Sequence, residues 1–154
     1  MARLEVITGP MFARKSKLLI WRLESESYID KKILVVKPRI DTRTKGEIAS
    51  RKKLDLEDPE FEKGDSFPAH PINSAEEFIA LVKEYQPNVI GIDEAQFFDN
   101  KLLEAIDELL DKFERDENYL IVVAGLDMDA WRKPFGIMPE LMAKANQITK
   151  LTTG

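Results

Sequence analysis

The stretch Leu4-Glu5-Val6-Ile7-Thr8-Gly9-Pro10-Met11-Phe12-Ala13-Arg14-Lys15-Ser16 decides the fold. Leu4 to Thr8 is a short apolar run of the kind that forms a buried strand, and Gly9-Pro10 breaks it. A helical stretch from about Lys15 to Ile29 follows, carrying Leu18, Leu19, Ile20, Trp21 and Leu23. The intervening Gly9 to Ser16 has the length and register of G-x-x-x-x-G-K-[ST], with Arg14 where the second glycine belongs. A turn of that kind directs backbone N–H groups at phosphates, sends a lysine to the outer phosphate oxygens and sets a hydroxyl on magnesium. Lys15 and Ser16 supply the last two, so Gly9, Pro10, Met11, Phe12, Ala13, Arg14, Lys15 and Ser16 are the candidate ATP-binding residues.

Charge placement supports the same site. Arg14, Lys15 and Lys17 crowd three cations onto a helix N-terminus, where the macrodipole makes each unfavourable by about a few tenths of a kcal/mol. A bound polyphosphate reverses that sign. On the motif alone, an ordinary tight turn flanked by surface lysines fits equally well. A glycine at position 14 would allow an unusual backbone angle and close approach to phosphate, whereas arginine brings a Cβ into that space. Impaired triphosphate binding relative to Arg14→Gly is therefore expected.

Further along, Ile33 to Val36 is a β-branched run suited to a parallel strand covered on both faces, and is expected to close a first βαβ unit. From Arg43 to Ser66 thirteen of twenty-four residues are charged, which reads as a solvated hairpin or loop insertion. Ser74 and Glu77 form a capping box for a helix through Tyr85, ended by Pro87. Val89 to Ile92 is the next buried strand. With Asn100 as N-cap, Leu102, Leu103, Ile106, Leu109, Leu110 and Phe113 mark an amphipathic helix. Tyr119 to Ala124 reads as a strand, Pro139 to Ala145 as a helix and Ile148 to Leu151 as a last strand. Alternating strands and helices imply an α/β fold: a P-loop NTPase-like three-layer sandwich with a mostly parallel sheet, in one domain spanning 1–154. Ligands of such sheets sit at the carboxyl ends of the strands.

At one such end stand Asp93 and Glu94. Asp93 is placed to hold Mg²⁺ through water, with Ser16 as the other metal-side residue, and Glu94 to accept a proton from an attacking hydroxyl. Gln96, beside Phe97 and Phe98, reads as structural on spacing, as do Met11 and Phe97. His70, the only histidine, belongs to no motif.

Composition narrows the class. Hydrophobic residues at 44% and charged residues at 33% describe a globular chain, and a net charge of -5 argues against a dedicated nucleic-acid binder. No apolar run approaches the ~20 residues of a membrane span, and the start is too charged for a signal peptide, so a cytoplasmic protein with no membrane partner is expected. There is no cysteine, which excludes disulfides and thiolate metal sites.

Several segments together resemble the cellular and bacterial thymidine kinase family. They are Gly-Pro-Met-Phe at 9–12, Lys-Pro-Arg-Ile-Asp-Thr-Arg at 37–43, Asp-Glu-Ala-Gln-Phe-Phe at 93–98, and Gly-Leu-Asp-Met-Asp at 125–129 with Arg132 and Pro134-Phe135-Gly136. They occur in the family's order and span nearly the whole chain. The resemblance implies transfer of the ATP γ-phosphoryl group, with Mg²⁺, to the 5′-hydroxyl of thymidine or a related deoxynucleoside. It assigns Glu94 as general base, with Lys15 and Arg132 also catalytic and Lys15, Ser16 and Asp93 at the phosphates and magnesium. Met11, Phe97, Leu126, Trp131 and Phe135 would form the base pocket, Trp131 standing where the family carries a phenylalanine. Asp41 and Arg43 would join the substrate-binding set. A homo-oligomer, a tetramer in the family, is also implied.

In the family a four-cysteine zinc domain and a lasso loop over the thymine follow the Lys-Leu-Thr segment, here Lys150 to Thr152. Residues 1–154 contain no cysteine, so no zinc site is expected and the base site would be open on one side. A weakly active or inactive relative, serving as a nucleotide-binding or protein-interaction module, is the alternative expectation.

Overall fold

The computed structural model describes residues 1–11, 13–27, 30–39 and 67–152. The 43–66 insertion lies outside them, as do Phe12, Asp41 and Arg43. Six strands, β1 (Arg3–Thr8), β2 (Ile33–Pro38), β3 (His70–Ile72), β4 (Val89–Ile92), β5 (Leu120–Gly125) and β6 (Gln147–Lys150), form one sheet in the order β3-β2-β4-β5-β1-β6. All pairings are parallel. The helices are α1 (Lys15–Ser27), α2 (Ala75–Tyr85), α3 (Asn100–Lys112) and α4 (Met138–Lys144), with a 3-10 turn at Ala95–Phe97.

Strand alternation divides the core into two layers. On one face Leu4, Val6, Ile90, Ile92, Ile121 and Val123 pack against Phe78 of α2, Leu102 and Ile106 of α3, and Met138 and Leu141 of α4. On the other, Ile7, Val89, Leu120, Val122 and Ala124 pack against Leu19 and Leu23 of α1. The two leucines sit one turn apart on one stripe of the helix, and full burial of each is worth about 1.5–3 kcal/mol. The result is the three-layer sandwich read from the sequence.

The first βαβ unit, β1-α1-β2, forms with both strands parallel, and β4 and β5 stand between them in the sheet. The apolar stripe of α1 is the reason, because Leu19 and Leu23 cover Val89 of β4 together with Leu120 and Val122 of β5. The helix crosses those strands before the chain re-enters the sheet. One correction concerns α3, whose N-cap is Asp99 and not Asn100. Asp99 is extended (φ -98, ψ -177), accepts from the Lys101 N–H, and sets its carboxylate at the positive end of the dipole. Ser74 caps α2, accepting from the Glu77 N–H at 3.2 Å, while the Glu77 carboxylate reaches back to the Asn73 N–H, one residue before the cap, and Gln86 closes the helix in the left-handed region. No helix among the described residues is long and apolar enough to cross a membrane.

Register aligns the carboxyl ends of the central strands. Thr8 pairs with Gly125 on one side and Lys150 on the other, and Ile92 pairs with Val36 and Val123. Gly9, Asp93, Leu126 and Leu151 therefore emerge at one edge of the sheet.

Candidate active site

The turn after β1 is tightly built. Buried Thr8 donates its hydroxyl to the Gly125 carbonyl at 3.0 Å, and the Leu151 N–H donates to the Thr8 carbonyl at 2.7 Å. Gly9 has φ +149, and a Cβ on it would lie 2.6 Å from the Leu151 carbonyl oxygen, so the chain enters the turn through a gap only glycine fits. Pro10 and Met11 are exposed, Ala13 is buried and its N–H donates to the Pro10 carbonyl at 3.3 Å. Arg14, exposed, has φ +62. It takes the left-handed conformation that a glycine would adopt freely, although it carries a Cβ.

Lys15 opens α1 and is buried, 8% exposed. Its ammonium donates to the Pro10 carbonyl at 2.6 Å, folding the side chain back over its own turn. Burial pulls its pKa below the ordinary 10.5, against the opposing pull of Glu94, Asp93 and Asp127. A lysine held among three carboxylates at a helix N-terminus is poised to exchange a backbone carbonyl for phosphate oxygens.

Across the sheet edge, the Ser16 hydroxyl donates to Asp93 Oδ2 at 2.9 Å. Asp93 is fixed from two further sides, by its own N–H to the Val36 carbonyl at 3.0 Å and by the Glu94 N–H on its Oδ1 at 2.9 Å. A hydroxyl and a carboxylate in mutual contact are the hard oxygen donors that magnesium takes beside substrate phosphates. The residues present fit that ion. Glu94 follows in the left-handed region (φ 54), and its Oε2 accepts from Gln96 Nε2 at 3.3 Å.

Five non-glycine residues among those described have positive φ: Arg14, Asp30, Gln86, Glu94 and Arg132. Three of the five are candidate site residues. Such conformations cost about 1–3 kcal/mol each and concentrate where function fixes the backbone.

Phe97 and Phe135 meet edge to face, centroids 5.9 Å apart. Leu126 is half-buried between β5 and the 125–136 loop, and the Phe135 N–H donates to the Asp127 carbonyl at 3.0 Å. Met11, Phe97 and Met128 are exposed apolar groups at this end of the sheet. Trp131 stands out at 82% exposure, on a turn where Met128 bridges Pro134 and the Asp129 carboxylate accepts from the N–H groups of Trp131 and Lys133. Arg132 is exposed on the same turn. Phe97 and Phe135 are thus brought together, Leu126 is tied to Gln96 through its N–H, and Trp131 stands exposed.

Three polar residues were given no site role by sequence reading, Gln96 having been read as structural. Gln96 is buried and touches Glu94. Asp127, 8% exposed, pairs with Lys150 at 3.0 Å, tying the ends of β5 and β6 across β1. Asp129 organises the Trp131 turn. Asp127 lies two residues past the end of β5 and Gln96 four past the end of β4, but only the structure shows which way each side chain turns.

The sequence model of the family described as Thymidine kinase matches residues 2–153. Among curated relatives, a thymidine kinase of Ureaplasma urealyticum serovar 10 is 39% identical over 153 residues, covering 97% of this chain and 61% of that protein. One from Coprothermobacter proteolyticus is 40% identical over 148 residues, covering 96% and 66% respectively. One from Mesomycoplasma hyopneumoniae strain 7448 is 40% identical over 149 residues, covering 96% and 72%. The chain therefore spans less than two thirds of the first two relatives. Among solved structures, the flagellar accessory protein FlaH of Methanocaldococcus jannaschii superposes with a TM-score of 0.52 at 14% identity, covering 99% of this chain and 73% of that one, a likeness of fold. With a phosphate turn, an acidic strand end and an aromatic pair on that fold, and with the family's sequence model spanning nearly all of it, the chain belongs to the thymidine kinase family.

Proposed function

We propose that this chain moves the γ-phosphoryl group of ATP to the 5′-hydroxyl of thymidine or a related deoxynucleoside. The observation that carries the reading is the Ser16–Asp93 hydrogen bond with Glu94 next in the chain, in a member of this family. Lys15 leaves the Pro10 carbonyl for the β/γ oxygens, and the turn's N–H groups face the phosphates. Magnesium, when bound, neutralises charge on the transferring phosphoryl oxygens. Ser16 and Asp93 would hold it, Asp93 through water. Glu94 Oε accepts the 5′-hydroxyl proton as that oxygen attacks, and Arg132 faces the developing charge. Phe97, Leu126 and Phe135 would grip the base together with Met11 and Trp131, and the family resemblance adds Asp41 and Arg43 to the substrate-binding residues.

The same reading makes residues 1–154 one P-loop domain with a charged insertion at 43–66. It carries with it self-association, as a tetramer, and a cytoplasmic location. Incubation with ATP, Mg²⁺ and thymidine tests the reaction: thymidine monophosphate and ADP should form one for one. ADP release indifferent to thymidine, or ATP binding without any transfer, would replace the kinase by a nucleotide-binding module.

A further inference from the structure

Gln96 is 3% exposed, and both ends of its amide are used. Its Oε1 accepts from the Leu126 N–H at 3.0 Å, and its Nε2 donates to Glu94 Oε2 at 3.3 Å. The orientation of the amide is dictated by chemistry: the Leu126 N–H can only donate, so it must meet the oxygen, and the NH₂ is left to face the carboxylate. The fit is close, since a Cβ on Gly125 would come 2.8 Å from that same oxygen. Gln96 thus spans from the end of β5 to the side chain that follows β4. Glu94 itself has a left-handed backbone and stands directly ahead of the 3-10 turn.

We infer that Gln96 is a positioning residue that fixes the Glu94 carboxylate for proton acceptance and ties it to Leu126 in the base pocket. This rests on Glu94 being the base. Loss of Gln96 removes one hold on the Glu94 carboxylate and leaves its aim at the hydroxyl less defined, and a group tied to Leu126 transmits movement of the β5–α4 loop to the base.

The test uses two variants and two readouts on the whole chain. Gln96→Leu removes the amide at nearly constant volume; Gln96→Glu keeps an acceptor for the Leu126 N–H but sets a second carboxylate against Glu94. The first readout is single-turnover formation of thymidine monophosphate at saturating ATP and thymidine, which should fall about 10–100-fold in both variants while ATP affinity stays within about twofold. The second is the same loss measured in the Glu94→Gln background, where it should shrink to within about threefold, because a residue that acts through Glu94 has nothing left to position. A rate within about twofold of wild type in both folded variants, or a loss of equal size with and without Glu94, overturns the inference. If Glu94→Gln itself turns over at the wild-type rate, it is the assignment of the base that fails. Should Gln96→Leu not fold, Gln96→Glu decides by the same two rates.

Discussion

The Ser16 hydroxyl donates to Asp93 Oδ2 at 2.9 Å although 77 positions of sequence separate the two residues. The contact exists because α1 starts at the end of β1 and crosses β5 and β4, carrying its first turn toward the carboxylate that follows β4. It joins the turn after β1 to the acidic strand end.

Ser16→Ala should therefore weaken ATP binding about 10–100-fold in the presence of Mg²⁺, and far less with a chelator added. Calorimetric titration under both conditions checks this. An equal loss with and without the metal would show that the hydroxyl serves the turn and not the ion.

Arg14 holds a glycine-like φ of +62 at the entrance to α1, so its strain is built into the turn. Arg14→Gly should relieve about 1 kcal/mol of left-handed strain, partly offset by the freer unfolded chain, and open the turn to triphosphate. Tighter ATP binding by equilibrium dialysis is expected. Identical affinities for the two proteins would contradict the idea that the arginine obstructs the site.

At Gly9 the strain argument runs the other way. Gly9→Ala combines φ +149 with a Cβ 2.6 Å from a backbone oxygen of Leu151, whose own N–H binds Thr8. Neither neighbour can yield without breaking the β1–β6 ladder. A stability loss of about 2 kcal/mol or more is predicted from denaturant melts, with ATP binding lost in the fraction that folds. Wild-type stability in this variant would show that the turn is looser than it stands.

Much of this was legible in residue order. Apolar runs of four to six residues between helical periods give the parallel sheet, because strands covered on both faces must be apolar throughout; β5, buried at all six positions, is the clearest case. The turn after β1 and the Asp93-Glu94 pair at the end of β4 were legible as places in the fold because each depends on spacing within one segment. What escaped was set by distant partners. The short β3 gains its place from pairing Val36 with His70. Asp99 outcompeted its neighbour Asn100 as a cap through local backbone angles. Gln96 looked like packing because its two bonds reach Glu94 and Leu126, and the second lies thirty positions away.

Tyr119 gives a prediction remote from the site. Its ring stacks on Phe113 at 4.3 Å, and its buried hydroxyl has no hydrogen-bond partner among the described residues. Burial, aided by the Asp116 charge, pushes its pKa well above the ordinary 10. Once pH passes 10, the unfolded chain loses this proton while the folded one keeps it, so stability falls as pH rises beyond that point. Tyr119→Phe should remove this alkaline slope, read from melting temperatures between about pH 9 and 11. It should also raise stability near neutrality by about 1 kcal/mol, because an unpaired buried hydroxyl is discarded. A destabilised variant with the slope intact would show that the hydroxyl has a partner after all.

The most direct measurement of the account as a whole is thymidine monophosphate formation from ATP and thymidine by the wild-type chain and by Glu94→Gln, with ATP binding measured in parallel. The predicted result is transfer by the wild type, a loss of about 10²–10⁴-fold in the variant, and nearly equal ATP affinity in both. Transfer at equal rates by the two proteins would contradict it, because the group that the geometry sets beside Ser16, Asp93 and Lys15 would then not be taking the proton.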